Sequence, residues 1–208
     1  MLDKWSLAWV KPMLRKSAEG LNKVGLSANQ VTIIGFLIGI LAVPAIWQHY
    51  YLLALLFILI NRICDGLDGE LARLNGVSDT GAYLDITLDF IFYSSIVWGF
   101  ALANPQLNAL ASATLIFSFI GTGASFLAFA IIAAKQNIDR LNYPKKSFYY
   151  LGGLTEGTET IAVLMLFCLF PDHFSVLAYV FSGMCWITIL FRIIGGYTTI
   201  RQAENQSK

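Results

Sequence analysis

The chain alternates between long apolar runs and short polar breaks. Six runs come near the roughly 20 residues that a helix needs to cross a hydrocarbon layer; they are 31–47, 51–73, 82–103, 109–134, 158–170 and 174–200. No strand-like alternation competes with them. Backbone polar groups in lipid must pair within their own segment, so each run is expected to be a helix. The fifth run is the shortest, and its helix can reach back to Gly153. Pro44 is expected to kink the first run near its far end. Ser27, with Gln30 three residues on, reads as a capping box that opens this run.

Ahead of the first run the pattern changes. Leu2, Trp5, Trp9 and Met13 recur at spacings of three and four, and Lys4, Lys11, Arg15, Lys16 and Lys23 take other positions. This predicts an amphipathic helix lying at the membrane surface, with Trp at headgroup depth and Lys toward anionic lipid. Pro12 is expected to bend it. The expected architecture is therefore an all-α polytopic membrane protein. It has an interfacial helix in 1–26, a six-helix transmembrane unit in 27–202 and a cytoplasmic tail in 203–208.

Composition agrees. Of 208 residues, 57% are hydrophobic and 13% are charged, against about 25% charged in soluble domains. The net charge of +1 gives no reason to expect a nucleic-acid partner. Charge placement is more informative. With the N-terminus inside, the outer breaks fall around His49, 104–108 and 171–173, and none holds a Lys or Arg. All 14 basic residues then lie toward the cytoplasm, a strong positive-inside pattern that an odd number of spans would break. An inner-membrane location with the inward ends facing the cytoplasm follows. The N-terminus shows no cleavage pattern of a signal peptide. Cys64, Cys168 and Cys185 are scattered, and fit neither a zinc site nor a disulfide framework.

The chemistry concentrates where the second run ends and the third begins. Asp65 and Asp68 are three apart on one helix, and Asp85 and Asp89 are four apart on the next, so each pair shares a face. A short connection makes the helices antiparallel neighbours, which should bring the pairs together. Carboxylates at membrane depth are costly and usually functional. Four of them repel unless cations intervene, and hard oxygen donors suit Mg²⁺ or Mn²⁺. Two such ions cancel the charge and can clamp a phosphoryl group. Gly69 and Ala72 let a bulky ligand approach the backbone. Arg73 offers a cation for phosphate. Gly81 lies one turn before Asp85. Asp79 and Glu70, off this constellation, are expected to be solvated loop or interface charges.

The stretch Asp65-x2-Asp68-Gly69-x2-Ala72-Arg73, followed by Gly81-x3-Asp85-x3-Asp89, resembles the signature of the CDP-alcohol phosphatidyltransferase family, with eight positions matched across 25 residues. Six spans and an N-terminal interfacial helix are also features of that family. The seven residues between Arg73 and Gly81 are one fewer than the family spacing, which implies a tighter turn. The resemblance implies that a CDP-linked lipid, typically CDP-diacylglycerol, gives its phosphatidyl group to an alcohol and releases CMP. It implies that Asp65, Asp68 and Asp85 ligate metal, and that Asp89 ligates it or acts as general base. Gly69, Ala72, Arg73 and Gly81, with Asp68, would shape the nucleotide site. Metal on the diphosphate would also improve the leaving group. The family tends to be homodimeric.

Other residues are candidates beside a plainer role. Asn29 and Thr32 resemble a Pro-Asn-x2-Thr element of the family, with Ala28 in the proline position; nucleotide contact competes with helix capping. In 135–148, Lys135, Arg140, Lys145 and Lys146 could recruit an acceptor or be ordinary inward-facing charge. Lys135 is the strongest of them, because it ends the fourth run. Glu156 and Glu159 open the fifth run, where acids also favour the helix dipole. Family members that accept inositol phosphate interleave arginines there; the matching places hold Gly157 and Thr160. An acceptor other than inositol phosphate is therefore expected. Arg192, inside the sixth run, needs a partner such as Glu156, Glu159 or a substrate phosphate, unless it snorkels. Gly121, Gly123 and Ser125 permit close helix packing, within or between subunits.

Two rival functions use similar residues. An intramembrane prenyltransferase binds a lipid diphosphate through aspartates and Mg²⁺, but has more spans and widely separated motifs. A divalent-cation transporter would hold its acids near the midplane on interrupted helices; here they cluster at the inward ends.

Overall fold

Among the described residues, all regular structure is helical. The computed structural model describes residues 3–136 and 153–206, with side chains from 12–136 and 153–205. The helices are α1 (Asp3–Lys23), α2 (Ala28–Ile40), α3 (Ala42–Trp47), α4 (Tyr51–Asn75), α5 (Asp79–Ala103), α6 (Pro105–Lys135), α7 (Gly157–Leu169) and α8 (Phe174–Gln206), with a 3-10 turn at Pro171–His173. Arg140, Lys145 and Lys146 lie outside the described residues.

Among the described residues, four stretches are long and apolar enough to cross a membrane: Ala28–Trp47, Asp79–Ala103, Pro105–Lys135 and Pro171–Asn205. The other two expected spans differ for identifiable reasons. Helix α4 has 25 residues, but from its middle onward it carries Arg62, Asp65, Asp68, Glu70 and Arg73. Helix α7 is apolar but only 13 residues long. Large apolar side chains such as Leu37, Leu52, Trp98, Leu110, Ile120 and Val180 stand exposed around the bundle, as a lipid-facing surface requires.

The first apolar run is divided in two. Helix α2 ends at Ile40 and α3 begins at Ala42. Pro44 has no N–H to give the Ile40 carbonyl, and its ring crowds that carbonyl, so the helix breaks four residues ahead of the proline. The start of α2 carries the expected capping box. Ser27 N–H donates to Gln30 Oε1 at 2.9 Å, and Gln30 N–H donates to Ser27 Oγ at 3.3 Å.

Helix α2 crosses α4 at very close range through two glycines one turn apart. A Cβ on Gly35 would stand 2.4 Å from Cys64 Cβ, and one on Gly39 would stand 3.0 Å from Asn61 Cβ and 2.8 Å from Phe92. This approach sets Thr32 of α2 beside Asp68 of α4. The link from α4 to α5 is only Gly76, Val77 and Ser78. Gly76 takes φ +101°, which a residue with a Cβ avoids. Ser78 then caps α5 by accepting from Gly81 N–H at 3.1 Å. The tight turn implied by the seven-residue gap is thus made by one glycine and one cap.

The apolar core lies toward the other end. Phe100 stacks on Phe174 with ring centroids 4.5 Å apart, and Phe167 meets Phe174 edge-on at 4.8 Å. Phe92, Ile96, Leu115, Leu164 and Phe181 extend this core. Gly121 packs against Ile189 of α8 and Gly123 against Phe90 of α5, so the small residues of α6 serve packing within the chain. Cys168 and Cys185 are buried, Cys64 is half-buried, and all three are free thiols.

Candidate active site

A cleft opens between α2, α4 and α5, lined by Thr32, Gly35, Asn61, Arg62, Asp65, Asp68, Asp85 and Asp89 among others. Asp65, Asp85 and Asp89 each offer a carboxylate oxygen, and the three lie within 4.8 Å of one another. Oxygens this close on two antiparallel helices make a hard, anionic donor set, which fits a divalent cation such as Mg²⁺ or Mn²⁺. Asp68 lines the same cleft but is held differently. It is buried, and Thr32 Oγ1 donates to its Oδ2 at 2.6 Å. The four aspartates thus divide into a cluster of three and a fourth anchored across the α2–α4 crossing.

Arg62 enters the cluster from α4, one turn before Asp65. Its Nη2 donates to Asp89 Oδ1 at 2.8 Å, and its Nη1 lies 3.6 Å from Asp65 Oδ1. Tyr93, one turn after Asp89, donates from its hydroxyl to Asp89 Oδ2 at 2.8 Å. Asn61 is buried, accepts from Arg62 Nε at 2.8 Å and donates from Nδ2 to the Gly35 carbonyl at 3.0 Å. The sequence reading missed Arg62, Asn61 and Tyr93. The signal for Arg62 was present: a guanidinium inside an otherwise apolar run needs a nearby anion.

The remaining candidates fall in several places. Asn29 stands beside Gly81 of α5, where a Cβ would be 3.0 Å from its Oδ1; the cap of α2 is made by Ser27 instead. Gly69 faces Arg73, whose Nη1 would be 3.7 Å from a Cβ there. Arg73 pairs with Glu70 and is half-exposed. Glu70 is therefore not the solvated charge expected from sequence. It is 5% exposed, because an arginine three residues on lets its carboxylate leave water. Asp79 is exposed as expected, and Ala72 is half-buried.

Lys135 is exposed at the end of α6. Glu156 and Glu159 form a capping box on α7, with Glu156 N–H donating to Glu159 Oε2 at 3.2 Å. Arg192 donates from Nη1 to the Thr122 carbonyl at 3.1 Å, and its guanidinium sits 5.6 Å from the Phe126 ring centroid. That contact joins α8 to α6, and a carbonyl and a ring are partners the sequence reading did not consider.

Residues 26–194 match the family described as CDP-alcohol phosphatidyltransferase. The chain is 50% identical over 206 residues to the inner membrane protein YnjF of Escherichia coli K12, covering 99% of this chain and 100% of that protein. It is 30% identical over 185 residues to the archaetidylinositol phosphate synthase of Pyrococcus horikoshii, covering 88% and 90% of the two chains. The crystal structure of Mycobacterium tuberculosis phosphatidylinositol phosphate synthase PgsA1 with CDP-DAG bound has the same fold, with a TM-score of 0.66 at 21% identity over 90% of this chain and 94% of that one. With a matched region that spans the whole Asp65-to-Asp89 pattern and a relative aligned end to end, the chain belongs to the CDP-alcohol phosphatidyltransferase family.

Proposed function

We propose that the chain transfers a phosphatidyl group from a CDP-linked lipid, such as CDP-diacylglycerol, to an alcohol acceptor in a reaction that needs two Mg²⁺ or Mn²⁺ ions. The observation that supports this most is the trio of carboxylate oxygens within 4.8 Å at the motif. Asp65, Asp68 and Asp85 are assigned to the ions, and Asp89 to the ions as well or to the acceptor's proton. Gly69, Ala72, Arg73 and Gly81, with Asn29 and Thr32 on the facing helix, are assigned to the cytidine nucleotide. When bound, the ions would neutralise the carboxylates and draw charge from the diphosphate. The acceptor oxygen attacks the phosphorus that carries the lipid. A new O–P bond forms as the bond to the CMP phosphate oxygen breaks. CMP leaves with that electron pair, and the hydroxyl proton passes to Asp89. The M. tuberculosis protein was also crystallised with manganese and citrate, which lends support to the metal class.

The acceptor is a polar alcohol. The archaeal relative is named for an inositol phosphate product, which makes inositol 1-phosphate the first compound to test. The start of α7 argues for a neutral acceptor, since the places where arginines would meet that phosphate hold Gly157 and Thr160. The same reading puts six spans, the interfacial helix α1 and a cytoplasm-facing cleft in an inner-membrane homodimer. The test is release of labelled CMP by purified protein given Mg²⁺, CDP-diacylglycerol and a panel of alcohols. Turnover with a neutral polyol or amino alcohol, lost in Asp89→Asn, is expected. Preferred turnover with inositol 1-phosphate would overturn the acceptor reading. Full activity of Asp89→Asn would overturn the base.

A further inference from the structure

The pattern from Asp65 to Asp89 leaves positions 70 and 71 open, yet both are buried. Leu71 packs with Ala18 and Val31, as an apolar side chain should. Glu70 is a carboxylate and is buried as well. Taking a carboxylate out of water is costly unless a cation meets it. Arg73 does so, with Nη1 donating to Glu70 Oε1. The pair is lopsided: the glutamate side chain is 7% exposed and that of the arginine 56%. The Arg15–Glu19 pair on α1 is the contrast, with 63% and 51% exposed, as solvated pairs of little worth are. A helical side chain leans toward the N-terminus of its helix, which carries Arg73 back one turn to Gly69. Beyond its chain neighbours and helix backbone, a Cβ on Gly69 would meet only the Arg73 guanidinium within 4 Å among the described residues. Bare backbone and a fixed cation thus stand together one residue after Asp68, which lines the cleft. Among the described residues, Arg73 Nη2 and Nε make no other bond.

We propose that Glu70 is a positioning residue that holds the Arg73 guanidinium over Gly69, with its exposed edge available to a phosphate of the CDP-linked lipid. The inference rests on the nucleotide site proposed above. A half-exposed arginine samples many rotamers, and ordering it on binding opposes affinity. The bond to Glu70 has already ordered it. Nη1 is spent on that bond, while Nη2 and Nε form the edge that can grip a phosphate with two parallel hydrogen bonds. Substrate then adds to the ion pair rather than breaking it. Glu70 stays out of contact with the ligand and acts through Arg73.

The test is CDP binding with Mg²⁺ to the full-length protein in lipid nanodiscs by isothermal titration calorimetry, beside KM and kcat for CDP-diacylglycerol from CMP release. Glu70→Met removes the carboxylate without leaving a buried charge, because Arg73 stays in water. It is expected to weaken CDP and raise KM for the lipid about tenfold, with kcat within about threefold of the parent. Glu70→Gln keeps an oxygen for Nη1 and is expected to bind CDP within about threefold of the parent. In an Arg73→Met background the ions still hold the diphosphate, so affinity stays measurable. There Glu70→Met is expected to change CDP affinity by less than about twofold, since its effect runs through the missing guanidinium. CDP affinity in Glu70→Met that equals or exceeds the parent's would overturn the proposal and leave the transfer reading intact. A loss of the same size with and without Arg73 would do the same, as it marks a role in packing alone. A parent protein that binds no CDP and releases no CMP would overturn both.

Discussion

Asp68 and Thr32 form the shortest link between α2 and the motif helix, at 2.6 Å. Removing the hydroxyl leaves a buried carboxylate oxygen without its donor, which costs about 1–3 kcal/mol. Thr32→Val is therefore expected to lower kcat/KM for CMP release about tenfold, and Thr32→Ser to retain most of it. Equal activity in both variants would show that the hydroxyl does not orient Asp68. At this scale the sequence was informative about the acids and about Arg62, whose charge in an apolar run calls for an anion, and silent about their neutral partners. Asp65, Asp68, Asp85 and Asp89 announce themselves because carboxylates are rare in an apolar chain. Tyr93 does not, since a tyrosine in an apolar run is ordinary until its hydroxyl is seen against Asp89. Glu70 was misjudged because exposure depends on which face of α4 meets a neighbour.

At the scale of elements, the α2–α4 crossing places the site, and two small residues set it. A side chain at Gly35 must displace Cys64, whose Cβ would be 2.4 Å away. Overpacking of this kind costs about 1–3 kcal/mol. Gly35→Val is expected to lower the thermal midpoint by several degrees and to reduce CMP release, because Thr32 moves with α2. Gly183→Ala, where a Cβ meets nothing within 4 Å, is the control and should leave both unchanged. Helix positions, the capping box and the break ahead of Pro44 were legible because each follows from local chemistry. The glycine pair at 35 and 39 was visible in the sequence, but its partner helix was not. Spacing along one helix carries no information about which neighbour it crosses.

The whole molecule sorts its residues by depth. Charged side chains gather at the end of the bundle that holds the aspartates, and stacked phenylalanines fill the opposite end. If that charged end faces the cytoplasm, a cysteine replacing Gln106 reacts with an impermeant maleimide in intact cells, and one replacing Arg201 reacts only after permeabilisation, in a background with the native thiols replaced. The reverse pattern would invert the proposed topology. Of the six expected spans, four are long and apolar enough to cross a membrane among the described residues, α4 carries charge and α7 is short. In α4 charge takes the place of apolar residues, and α7 has only 13 residues.

The central claim is that these aspartates act through a divalent ion on a CDP-linked lipid. Its most direct test is one assay: the purified chain with CDP-diacylglycerol and an accepted alcohol, titrated with EDTA and then with Mn²⁺, with CMP counted throughout. The account predicts that CMP formation falls to background with EDTA and returns with Mn²⁺ in the parent protein, and that Asp85→Asn stays at background. CMP formation that persists in EDTA, or an Asp85→Asn variant as active as the parent, would contradict it.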